Sequence, residues 1–134
     1  MAHSIQVFDD RAEIFNDSDL LALVCLLGLE LDSSGDSYPA AASVVARWQS
    51  ALAGYGPGTI ELGLGGIVAS AEEREELVQL LELVDRRVGS YGDTVPALLL
   101  NGRCSVPGVI FRDYPGSILA AAIHRLIQVL SEDP

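Results

Sequence analysis

Eight consecutive apolar residues, Leu20-Leu21-Ala22-Leu23-Val24-Cys25-Leu26-Leu27, constrain this chain more than any other feature. A run without a polar position offers no face to water, so as a helix it must be enclosed by other elements. Asn16-Asp17-Ser18-Asp19 stands directly before it, and such side chains accept from the free N–H groups of a helix start. The pattern predicts a central buried helix over 18–29, with Gly28 as its stop and Asp32-Ser33-Ser34-Gly35-Asp36-Ser37 as a loop. A bilayer span needs about 20 apolar residues. The run is much shorter, so no membrane contact is expected.

The remaining segments supply what must enclose it. Ser4-Ile5-Gln6-Val7-Phe8 alternates as a short strand does, closed by Asp9-Asp10. After Tyr38-Pro39, the spacing of Ala41, Val44, Val45, Trp48 and Leu52 describes one helix face, with Pro39 at the first position and Gly54 at the end. Thr59-Ile60-Glu61-Leu62-Gly63-Leu64 reads as a strand that Gly65-Gly66 turns towards Ile67-Val68-Ala69. Ser70 followed by Glu73 is a capping box, and Leu77, Leu80, Leu81, Val84 and Val88 continue a helix over 70–89, with Gly89 as its C-cap. Its glutamates crowd the start and Arg86-Arg87 the end, as the helix dipole favours. Val95–Leu100 and Arg103–Val106 flank Asn101-Gly102, the strongest two-residue hairpin signal. Asp113-Tyr114-Pro115 opens a last helix through Ile118, Leu119, Ala122, Ile123, Leu126, Ile127 and Leu130. The expectation is one α+β domain over 1–134, helix-dominated, with about four helices and a small antiparallel sheet or hairpins.

Charge narrows the classes of function. Nineteen acids face eight basic residues, all arginine, leaving a net charge of -11, while mean hydropathy is +0.32. Intrinsic disorder requires low hydropathy together with high charge, and is excluded. Nucleic-acid binding requires a basic patch, which eight dispersed arginines do not form. The field repels anionic membranes and attracts basic proteins. Cys25 lies in the apolar run, where a free thiol acts as a small hydrophobe, and Cys104 lies in a polar segment. No CxxC or His-rich pair exists, so neither metal nor other cofactor is expected. Met1-Ala2-His3-Ser4 lacks the basic start of a secretory leader. A soluble protein of the reduced cytoplasm is the expectation.

Three groups of residues merit consideration as sites. Cys104, Asp113 and His124 are the types that make a nucleophilic centre, and Arg103 would favour a thiolate. No nucleophile elbow flanks Cys104, however. The glycine-rich segments 54–58 and 63–66 have neither phosphate-loop spacing nor a lysine, and serve better as turns. The third group is acidic: Glu72, Glu75, Glu76 and Glu82 on the helix 70–89, with Asp32 and Asp36 in the loop. Such a surface steers and selects a cationic protein. A small acidic non-catalytic protein that binds, and in doing so neutralises, a more basic partner is therefore expected, in the manner of an immunity protein or antitoxin. A small enzyme at Cys104/His124 is the alternative. So is a homodimeric structural subunit, because 49% hydrophobic content is much for one small core to hide.

Overall fold

The apolar run folds as the inner helix, α1 (Asp17–Ser34), in a computed structural model that describes residues 3–8, 11–34, 36–52, 70–103 and 111–131. Its positions 20–27 are all buried, as an element without a polar face requires. Asn16 caps it: its Oδ1 accepts from the Ser18 N–H at 2.9 Å. Contrary to expectation, Gly28 does not end the helix. A Cβ there would stand 2.8 Å from Gln49 Nε2, so glycine at this position admits the side chain of a neighbouring helix. The extra turn is held by tertiary contacts. Glu30 is buried and ion-paired with Arg87, which also donates to Ser33 Oγ at 3.5 Å. Asp32 consequently lies on the last turn of α1, and only Asp36 lies in the loop.

Among the described residues there are four further helices: α2 (Pro39–Leu52), α3 (Ala71–Ser90), α4 (Ala97–Arg103) and α5 (Gly116–Ser131). Pro39 opens α2, and the expected face of Ala41, Val44, Val45, Trp48 and Leu52 is buried. The capping box of α3 is formed, with Ser70 Oγ accepting from the Glu73 N–H at 3.0 Å and Glu73 Oε1 accepting from the Ser70 N–H at 3.3 Å. Gly89 is not its C-cap. The helix runs one residue further, and the left-handed glycine that turns the chain is Gly92, at φ 83°. α3 packs against α5, α2 and α1, and the buried residues of these elements form one core around Trp48, Phe15 and the leucines of α1 and α3.

Among the described residues the β content is two separate two-stranded antiparallel ladders, which with the five helices described gives a helix-dominated α+β fold. The expected first strand is β1 (His3–Phe8), paired with β2 (Arg11–Asn16) so that Ile5 stands opposite Ile14. β3 (Thr94–Val95) pairs with β4 (Tyr114–Pro115) and ties the end of α3 to the start of α5. The expected hairpin about Asn101-Gly102 is absent, because those residues lie in α4. Asp113 caps that helix by accepting from the Ala97 N–H at 2.8 Å. Asn101 holds Phe111 by both backbone groups, at 2.7 and 2.8 Å, so its amide replaces the strand partner a hairpin would have supplied. Gly54 and the strand expected over 59–64, with its glycine turn, lie outside the described residues.

Candidate functional site: the outer face of α3

Helical spacing sorts the acids of α3 into two groups. Glu72, Glu75, Gln79, Glu82 and Arg86 recur at three- and four-residue steps, and all five are exposed. They form the solvent stripe, opposite the buried Leu77, Leu80, Leu81, Val84 and Val88. The carboxylates of Glu72, Glu75 and Glu82 make no ion pair or side-chain hydrogen bond among the described residues. Asp32 and Asp36, at the end of α1 and beyond it, are likewise exposed.

The other acids of α3 hold the fold together. Glu76 is half-buried, and its Oε1 accepts from the N–H groups of Ala40 at 2.9 Å and Ala41 at 3.3 Å. It therefore satisfies the first turn of α2 across the interface, where an N-terminal helix end favours a carboxylate. Glu73 accepts from Arg47 at 2.8 Å as well as from Ser70. Burial pushes the Glu73 carboxyl up, but the hydrogen bonds from Ser70 and the Arg47 guanidinium outweigh it and hold the group below its ordinary value. Asp85 pairs with His124 at 2.9 Å. Hydrogen bonds from Arg87 to Glu30 and Tyr91 hold its guanidinium above its ordinary value.

One open cleft, of about 410 Å³, adjoins the stripe. It lies between the N-terminal half of α3 and the end of α5, lined by Arg74, Glu75, Val78 and Gln79 on one side and Leu130 and Ser131 on the other. Glu75 belongs to both stripe and cleft. The helical spacing of Glu75, Val78, Gln79 and Glu82 is visible in the sequence, but nothing there brings Leu130 and Ser131 beside them.

The expected nucleophilic group is not assembled from the described residues. Asp113 caps α4, and the exposed His124 is paired with Asp85 rather than Asp113. Cys104 lies outside the described residues. Cys25 is disulfide-bonded, which corrects the expectation of a free apolar thiol, and its sulfur stands 3.9 Å from the Leu100 carbonyl oxygen. No described cysteine is free. Among the described residues no group of three or more His, Cys, Asp or Glu side chains is placed to hold a metal ion. No described helix is long and apolar enough to cross a membrane.

A half-buried polar pair stands away from this surface. Tyr114 Oη donates to Asp19 Oδ1 where the start of α5 meets the start of α1. Burial, and then the Asp19 carboxylate, push the phenol well above its ordinary value. Nearby, Arg125 donates to the Ile14 carbonyl at 2.8 Å and stacks over the Phe15 ring at 4.4 Å. These contacts fasten β2 to the helices. No protein-family model, curated protein or solved structure matches this chain.

Proposed function

We propose that this protein binds a more basic protein through the outer stripe of α3, and by occupying that partner's cationic surface neutralises it. The observation that carries the reading is the division among the carboxylates of one helix. Glu73, Glu76 and Asp85 are engaged within the fold, whereas Glu72, Glu75 and Glu82 are exposed in a row with no partner of their own among the described residues. Beyond the favourable place of Glu72 in the first turn, a row of exposed like charges adds nothing to the stability of a helix. It does raise encounter rates with a cationic surface and select for it. The net charge of -11 gives the same sign at long range. Asp32 and Asp36 widen the acidic surface beyond α3.

The test inspects the neighbouring genes for a strongly cationic product and co-expresses any such protein with this one; a neighbourhood without one counts against the reading. The expected result is a complex that survives purification at low salt, weakens steeply as salt rises, and loses about tenfold or more in affinity in the E72Q/E75Q/E82Q variant. Absence of a complex, or a complex indifferent to the triple substitution, overturns the reading.

A further inference from the structure

The geometry points to the α3–α5 cleft as a pocket for one arginine side chain of the partner, a role that rests on the acidic-surface reading above and gives it a centre. Three features of the cleft favour that occupant over an anion or an apolar group. Glu75 places a carboxylate at its rim, and Gln79, one turn on, adds an amide carbonyl as a second acceptor. The opposite wall is the end of α5, whose last carbonyls have no partner within the helix and carry the negative end of its dipole. No basic residue stands in the last turn of α5 to answer that charge.

The α3 side brings no competing demand for an anion. The positive end of α3 is already matched by Glu72 and Glu73 in its first turn and by the capping box. Arg74 also lines the cleft, and this residue takes part in an interaction of its own. Val78 and the buried Leu130 supply apolar walls for the methylene stem of a long cationic side chain. The head group is assigned as guanidinium rather than ammonium because a planar fork engages a carboxylate by two parallel hydrogen bonds, with further donors left for Gln79 or Ser131.

The full chain, labelled with ¹⁵N, is titrated with Nα-acetyl-arginine methylamide and with the lysine and citrulline analogues. The expected result is saturable shifts of the Glu75, Gln79 and Ser131 amides with the arginine probe, at millimolar order for so small a ligand. The lysine probe binds several-fold more weakly, the neutral citrulline probe gives no shifts, and E75Q loses at least about tenfold in affinity for arginine. Equal binding of arginine and lysine, equal binding of citrulline, or an undiminished E75Q overturns the assignment. Shifts confined to Glu72 and Glu82 overturn the pocket while leaving the stripe reading intact. Arginine binding in the cleft, with no complex formed by any cationic protein co-expressed with this one, fails the stripe reading instead.

Discussion

α1 and α3 are the two longest helices and share one core, yet they differ in what they leave to water. α1 is buried on every side from Leu20 to Leu27, so all of its surface goes to packing. α3 is divided lengthwise, with leucines and valines inward, paired acids along its flanks, and unpaired acids outward. A helix enclosed by neighbours has no residue available for recognition, whereas an amphipathic one has a whole stripe. Stability is therefore expected to be most sensitive in α1 and recognition most sensitive in α3.

Substitutions separate these roles, beginning with the largest effect. Leu26→Ala, at a position of 0% exposure, leaves a cavity in the centre of the core and is expected to cost about 3 kcal/mol in chemical denaturation. A loss below about 1 kcal/mol would show that the core can collapse around α1 and would break the contrast. Glu30→Ala removes the buried partner of Arg87, where α1 and α3 are joined, and is expected to cost about 2 kcal/mol. The full penalty of a buried pair does not apply, because the Arg87 side chain is one-third exposed and regains water.

Tyr114→Phe removes the hydrogen bond to Asp19 and is expected to cost about 1 kcal/mol near neutral pH. Its pH signature is more specific. The phenol is held above its ordinary value, near 10, so the folded state keeps the proton more tightly than the unfolded state does. That contribution is present below about pH 10 and is lost as pH rises through the raised folded value. Melting temperature followed from pH 8 upward should fall in the parent and fall less in Tyr114→Phe.

Ser70→Ala removes the N-cap of α3 at a cost of about 1 kcal/mol. Because the Glu73 carboxyl is held below its ordinary value, the stability it contributes is present at neutral pH and is lost as pH falls through that lowered value. Acid unfolding should accordingly be less steep in Glu73→Gln than in the parent. Glu82→Gln, on the outer stripe, should change stability by less than about 0.5 kcal/mol in either direction. A larger loss would mean that the stripe holds the fold together and would weaken its assignment to recognition.

Local signals were most legible where one helix carried both its periodicity and its start. Ser70 with Glu73 marked the beginning of α3, and the leucine spacing marked its buried face. Pro39 did the same for α2. The ends were harder to read, because α1 continues past Gly28 through contacts with Gln49 and Arg87 from other elements. Asn101-Gly102 misled for a related reason. Turn propensity was overridden when Asp113 capped α4 and Asn101 paired with Phe111.

The acidic group was visible as composition, but not its division. Glu76 and Glu72 look equivalent along the chain, separated by one helical turn. Only the packing of α2 against α3 commits Glu76 to the N–H groups of Ala40 and Ala41. His124 and Asp85 are paired by the packing of α5 on α3, and no spacing in sequence indicated that partner.

The sequence by itself determined the inner position of α1, the buried faces of α2 and α3, and the sign of the surface charge. Each follows from the side chains of one segment and their preference for water or its absence. Tertiary structure decided where α1 stops, that residues 97–103 are helical, which glutamates remain exposed, and that the end of α5 lies beside Glu75. Those outcomes depend on hydrogen-bonding and packing partners distant along the chain, which a local pattern does not encode.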